Sequence, residues 1–318
     1  MKFKKHAVII SLILLGACTQ EISVSTTQDP DIHLDPISAS PTQITLTDHT
    51  THIAFSDNLM FDEGKVIAEA ASVPAVLVIG NDIYVYFVNA YTAHQPGEKN
   101  IYYIVSKDGG KTWTQREPIE INGLPGKLQP VDPSLLEIKD GEYRLYFYDL
   151  ETGDPNKRDV YNIYSATSSD GINFEMEDGI RISLTTNMTD PSVIHYNNEW
   201  FMYYGGGEVN GTSVAISDDG LNFVDYGSVQ DNERPGVDGT FMGIPGAMVE
   251  DNLIYLYNCE YLASSTDGIH FDILNEVRND EVIPAMSGCD PSPAKYLDGY
   301  IMVSKDFYYL RQEEEAQG

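Results

Sequence analysis

Three aspartates occupy the same place in one recurring phrase: Val131-Asp132-Pro133-Ser134, Thr189-Asp190-Pro191-Ser192 and Cys289-Asp290-Pro291-Ser292. Carboxylates brought close together repel, so at least one of them should hold its proton to higher pH. That condition lets one group act as an acid while another stays ionised. Paired carboxylates on either side of a glycosidic bond are the tools of its hydrolysis, and carboxylates also bind sugar hydroxyls. The plainer alternative is that each Asp-Pro-Ser caps a strand through hydrogen bonds of its own turn. The choice depends on whether the chain brings the three together.

The surrounding pattern says that it does. Each phrase is followed by a run such as Tyr143-Arg144-Leu145-Tyr146-Phe147-Tyr148, apolar and aromatic as a strand requires. Two further copies lack the aspartate: Ser72-Val73-Pro74-Ala75 and Gly243-Ile244-Pro245-Gly246. The five prolines at 74, 133, 191, 245 and 291 are 46 to 59 residues apart. Short strands repeated near that period are the mark of a β-propeller with one repeat per blade. A second phrase interleaves with the first. Asp108-Gly109, Asp170-Gly171, Asp219-Gly220 and Asp267-Gly268 each sit between two apolar runs, the signature of a tight hairpin turn. The sequence therefore predicts an all-β, five-bladed propeller with four antiparallel strands per blade. The Pro phrase opens the innermost strand and the Asp-Gly turn joins the third to the fourth. Innermost strands ring an axial channel, so Asp132, Asp190 and Asp290 are expected at one mouth. The last repeat has no Asp-Gly turn, and an open edge invites wrong pairing. Residues 43–55 are accordingly expected to come round as its outer strand, so that an N-terminal strand closes the ring. Residues 63–71 are the one candidate for a short helix.

With these phrases in view the chain resembles the five-bladed propellers of the arabinanase, levansucrase and invertase superfamily. The resemblance rests on the Asp-Pro-Ser openings, on Asp190-Pro191-Ser192-Val193 and on Ala166-Thr167-Ser168-Ser169-Asp170-Gly171, and spans nearly all of residues 72–304. It implies a furanosidase-type glycoside hydrolase with a nucleophile or base from an Asp opening blade 1, a pKa-tuning, sugar-holding Asp from a later blade, and an acid from a Glu. Asp132 and Asp190 match the later Asp. Blade 1 offers Val73 and blade 4 offers Gly243-Ile244-Pro245, so two of the three expected groups are missing. Glu233 and Asp238, in the long loop before blade 4, are candidates to supply them, as are the second-strand ends Asp149, Glu151, Glu208 and Glu260. The turn Ser106-Lys107-Asp108-Gly109-Gly110-Lys111-Thr112-Trp113 resembles the Asp-box of sialidases, a structural turn, and the other three turns resemble shortened versions. Sialidases imply three arginines on a substrate carboxylate, and no Arg opens a blade here. Two readings stay open: a glycoside hydrolase, with Asp132, Asp190, Asp290, Asp238 and Glu233 as its candidate catalytic set, and a non-catalytic glycan-binding or protein-interaction propeller.

The rest of the chain sets the context. Lys2, Lys4 and Lys5 precede an apolar run over 7–15, a leader too short to span a bilayer as a mature helix. It ends in Leu15-Gly16-Ala17-Cys18, which resembles a lipobox and implies lipidation of Cys18. Residues 1–17 are thus read as a signal peptide, 18–42 as a flexible tether, 43–310 as the propeller and 311–318 as an acidic tail. The expected place is the bacterial cell envelope, lipid-anchored, in the outer membrane if the source is Gram-negative, with the domain in the periplasm or at the cell surface. A net charge of −30 opposes nucleic acid and anionic membrane surfaces, which leaves the lipid anchor as the membrane contact. The expected partner is an oligo- or polysaccharide and the expected state a monomer. No cofactor is required, although a Ca²⁺ ion held in the axial channel by aspartates and carbonyls is chemically reasonable. Cys259 should end a second strand and Cys289 begin a first strand of the adjacent blade on the same face, so a disulfide is expected in an oxidising compartment.

Overall fold

The computed structural model describes residues 45–307 except 94, 96, 151–159, 187, 207–210, 234–243, 260, 276, 279–280, 283–285 and 287. The leader, the tether and the acidic tail lie outside the described residues. The described chain is all-β apart from one 3-10 turn, Leu46–Asp48. It forms a five-bladed β-propeller.

Blade 1 runs outward through Ala71–Ile79, Asp82–Asn89, Ile101–Ser106 and Glu117–Pro118. Blade 2 is Pro130–Lys139, Glu142–Asp149, Tyr161–Ser168 and Asn173–Met176, with Glu120–Asn122 added in parallel on its outer edge. Blade 3 is Met188–Tyr196, Glu199–Gly206, Gly211–Ser217 and Val224–Ser228. Blade 4 is Gly246–Glu250, Leu253–Tyr257, Leu262–Ser265 and His270–Ile273, extended by Gln230–Asp231. In blade 5, Cys289–Tyr296 and Gly299–Phe307 are joined by His49–Ser56 and then by Lys65–Glu69.

The closure corrects two expectations. The N-terminal segment supplies two strands: His49–Ser56 is the third strand of blade 5, paired with Gly299–Phe307 from His49 opposite Phe307 to Ser56 opposite Tyr300. The outermost strand is Lys65–Glu69, where the sequence suggested a helix. The free edge of His49–Ser56, itself laid against Gly299–Phe307, decides this locally ambiguous stretch, because an edge must find partners for its N–H and C=O groups.

The core is divided among the seams between blades. Five buried clusters fill five seams; Leu77 and Tyr86 of blade 1, for example, meet Leu145, Phe147 and Phe174 of blade 2. Glu142–Asp149 is buried at every position but the first, because neighbouring blades cover both of its faces. Two hydrogen-bond devices repeat around the ring. A second-strand tyrosine donates its hydroxyl to a turn carbonyl of the next blade: Tyr86 to Gly171 at 2.8 Å, Tyr146 to Gly220 at 2.7 Å, Tyr203 to Gly268 at 2.9 Å and Tyr257 to Leu59 at 2.9 Å. The serine of each Asp-Pro-Ser accepts a backbone N–H from the next innermost strand: Ser134 from Val193, Ser192 from Ala247, and Ser292 from Val76 across the closure, at 2.9–3.0 Å. Blade 4 has Gly246 at the serine position, and a Cβ there would lie 2.0 Å from the Pro291 carbonyl oxygen. Only glycine lets these two blades approach so closely.

Candidate functional site at the axial mouth

The innermost strands of four blades begin with the same irregularity. Val73, Asp132, Asp190 and Asp290 have φ of 46°, 53°, 53° and 50°, and the pairing register slips at each. A bulge of this kind turns one side chain out of the ladder and re-aims it. Aspartate is among the few side chains that tolerate the left-handed region; a β-branched residue there is strained. Val73 therefore holds a backbone shape that suits Asp, Asn or Gly better than it suits valine. Ile244, at the fifth start, does not share this conformation.

The bulges bring the three aspartates together. Asp190, Asp290 and Val73 line an axial cavity of about 50 Å³, walled below by Pro74, Ser134, Ser192 and Ser292. Asp132 accepts a hydrogen bond from the Asp190 backbone N–H. Burial pushes the Asp132 carboxyl well above its usual range, and the charges of Asp190 and Asp290 push it further. Asp190 moves the same way, to about 7, through burial first and then the charge of Asp290. Asp190 keeps one local bond, to the Thr189 side chain, and the serines and the bulged backbone help to hold the strand starts.

Two residues of the mouth carried no signal in the sequence. Lys305 lies on the second strand of blade 5, directly across the ladder from Cys289. Lys305 is 7% exposed, and its ammonium forms an ion pair with Asp290, which is 2% exposed. Burial works against that charge, but Asp290, Asp190 and Asp132 outweigh it and hold the lysine protonated. His49 sits at the same end of the third strand, with Nδ1 2.8 Å from the Ser72 hydroxyl. Burial, and then the Lys305 charge, lower its pKa to about 4, so the imidazole is neutral at neutral pH. Blade 5 could have been flagged only by the odd lysine in Ile301-Met302-Val303-Ser304-Lys305, an otherwise apolar strand.

The other candidates are placed as follows. Glu233 is exposed and follows Gln230–Asp231 on the outer edge of blade 4, with three strands between it and the innermost one. Its N–H bonds the Asp231 carboxylate at 2.9 Å. Asp149 is buried and accepts the Gln129 N–H at 3.0 Å, anchoring the entry to blade 2. Asp238, Glu151, Glu208 and Glu260 lie outside the described residues. Cys259 and Cys289 are joined by a disulfide with Cα atoms 4.4 Å apart, so the link stands one residue from Asp290. Arg144 pairs with Glu177 at 2.8 Å in the seam between blades 2 and 3, under Trp200, and Arg116 bonds the carbonyls of Glu69 and Ala70 and the Asn89 side chain. Neither guanidinium points to a sialidase-like arginine cluster. His195 packs its ring against Trp200 on the surface.

Comparison with known proteins gives the fold a context. No family model and no curated protein matches the chain. Solved structures do match. Zg3597, a family 117 glycoside hydrolase from the marine bacterium Zobellia galactanivorans, superposes with a TM-score of 0.52 at 15% identity over 82% of this chain and 91% of its own. CoXyl43, a GH43 β-xylosidase/α-arabinofuranosidase from a compost metagenome, superposes with a TM-score of 0.50 at 15% identity over 74% and 90%; it was solved with xylotriose in a calcium-free form. RS223 β-xylosidase gives 0.50 and 14% over 74% and 91%. What is shared is the fold. The neighbours are glycoside hydrolase propellers.

Proposed function

We propose that the axial mouth is a carbohydrate site of the glycoside hydrolase type, acting on an oligo- or polysaccharide of neutral sugars. The observation that carries the reading is the meeting of Asp132, Asp190 and Asp290 from three homologous bulges, with Asp132 and Asp190 both raised in pKa. Asp290 is paired with Lys305, while burial and neighbouring charge push the carboxyls of Asp132 and Asp190 towards keeping their protons. One member can then donate to a glycosidic oxygen while the other accepts a proton or holds a hydroxyl. The residual charge of the site is negative, which disfavours uronates and sulfated sugars. The neighbouring xylosidase and arabinofuranosidase folds support pentose-containing glycans as the first substrates to try.

The test is a panel of xylo-, arabino- and galacto-oligosaccharides with the parent protein and Asp190→Asn. A hydrolase loses turnover in the variant and keeps its fold. A second reading, a glycan-binding propeller without hydrolysis, is favoured by Val73 at the blade-1 bulge, where no carboxylate stands. In that case the parent binds without turnover and Asp190→Asn weakens the affinity. Absence of binding and turnover across the panel overturns both.

The proposal extends to the cellular setting. The leader and Cys18 support a lipid-anchored protein of the cell envelope, in the outer membrane of a Gram-negative host, with the propeller in the periplasm or at the surface. The disulfide beside the mouth agrees with an oxidising compartment. The Asp-Gly turns are proposed as Asp-box-like scaffold. Metabolic labelling with a fatty acid, lost on Cys18→Ser, tests the anchor.

A further inference from the structure

The sequence admits a Ca²⁺ ion in the axial channel, and the residues at the mouth do not fit one. Among the described residues no group of three or more His, Cys, Asp or Glu side chains is arranged to hold a metal. The more telling observation is positive. A lysine ammonium already lies against Asp290, inside the protein, with Asp190 and Asp132 in electrostatic reach.

We infer that Lys305 is the resident axial cation of this propeller: its tethered ammonium does at the channel mouth what a bound metal ion would do, and excludes one. Asp290 of blade 5, Asp190 of blade 3, Asp132 of blade 2 and His49 of the third strand of blade 5 are the titratable groups around it. Two buried carboxylates, Asp190 and Asp290, beside the half-buried Asp132 cannot all be ionised cheaply without a compensating charge. An ammonium offers three donors, one of which goes to Asp290. A divalent ion brought to the same carboxylates would face a like charge a few ångströms away, which costs much more inside a protein than in water. The second-strand position, opposite Cys289 and flanked by Thr51 of the next strand, fixes the lysine from both sides of the ladder. Lys305 is therefore a positioning residue, and it acts by holding the Asp290 carboxylate in an ion pair inside the protein. The consequence is a mouth whose buried negative charge is balanced by a side chain of the protein itself and not by a metal ion.

The test uses the purified full chain and does not depend on the carbohydrate reading. Thermal unfolding is followed with chelator, with CaCl₂ and with neither, for the parent, Lys305→Met, Lys305→Ser and the double variant Lys305→Met/Asp290→Asn. The parent should melt at one temperature in all three buffers. Lys305→Met should melt lower, and Lys305→Ser, which opens space beside Asp290, should gain several degrees with saturating Ca²⁺. The double variant, which removes both charges, should recover much of the loss and ignore Ca²⁺. It also keeps the test decisive if a single variant does not fold. Calcium stabilisation of the parent as large as that of Lys305→Ser overturns the inference. So does a Lys305→Met variant as stable as the parent, or a double variant no better than Lys305→Met.

Discussion

The two ends of this propeller carry the same residue in opposite electrical states. On the turn face, four aspartates each serve their own hairpin. The Asp219 carboxylate takes the N–H groups of Leu221 and Asn222 at 2.8 and 2.9 Å and the Ser217 hydroxyl at 2.9 Å. Those bonds favour the charged form and lower its pKa. At Asp170 burial works the other way, but the bonds from Asn173, Ile172 and Ser168 overcome it and bring the value to about 2. At the mouth, Asp132 and Asp190 are buried beside another carboxylate, and their pKa values rise. A repeat therefore does not fix the chemistry of its residues. Donors within two or three positions lower the pKa of an aspartate; burial, and then a like charge from another blade, raise it.

Substitution at the two ends should break this comparison most sharply. Asp190→Asn keeps a side chain that tolerates positive φ, so the fold should survive while turnover falls by about 10²-fold or more, the usual size of an acid–base contribution. Asp219→Asn should leave turnover unchanged on the same substrate. Steady-state kinetics on any oligosaccharide the parent cleaves checks both. Equal losses would mean that the mouth is not special.

The dependence of stability on pH should have opposite signs at the two ends. For the turn aspartates the folded pKa lies below the ordinary value of 3.8, so their contribution is complete above that value and is lost as pH falls towards about 2. For Asp190 the folded pKa lies above it, so folding is penalised progressively as pH rises from 3.8 to about 7, and the penalty is constant beyond. Asp190→Asn should therefore raise the melting temperature at about pH 8 more than at about pH 5. An equal shift at both would show that the carboxyl is not perturbed.

Smaller effects sharpen the picture. Asp219→Ala should cost about 1 kcal/mol, discounted for its exposure, or about 2–4 °C in melting temperature. Val73→Asn should stabilise by about 1 kcal/mol, because asparagine accepts the φ of 46° that strains valine; no gain would mean that Val73 packing outweighs the strain. Tyr203→Phe removes the 2.9 Å bond to the Gly268 carbonyl and should cost about 1 kcal/mol without altering the mouth.

Much was legible before the structure, and what was missed shares one cause. Asp-Pro-Ser, the aromatic runs and the Asp-Gly turns are local signals of short range, so five blades, their strand order and the common end for the three aspartates could be read from spacing. The same reading put Cys259 and Cys289 on one face of adjacent blades, where they are bonded. It expected an N-terminal strand to close the ring but missed that the segment supplies two, because 49–56 is ordered by the edge of a strand some 250 positions away and 65–69 by the edge of 49–56 in turn. It left open a local cap for the serine of the phrase, whereas Ser292 accepts the Val76 N–H of the next blade across the closure.

The sequence by itself determined the propeller, its repeat and the residue type at each blade start, since these follow from turn chemistry and alternation within a few residues. Only the tertiary structure decided what those residues became. Burial and the meeting of charges from blades 2, 3 and 5 raised two carboxylates, and ring closure carried Lys305 and His49 to the same mouth. Electrostatic energy depends on distance in space and on exclusion of water, and neither is written in the spacing of residues along the chain.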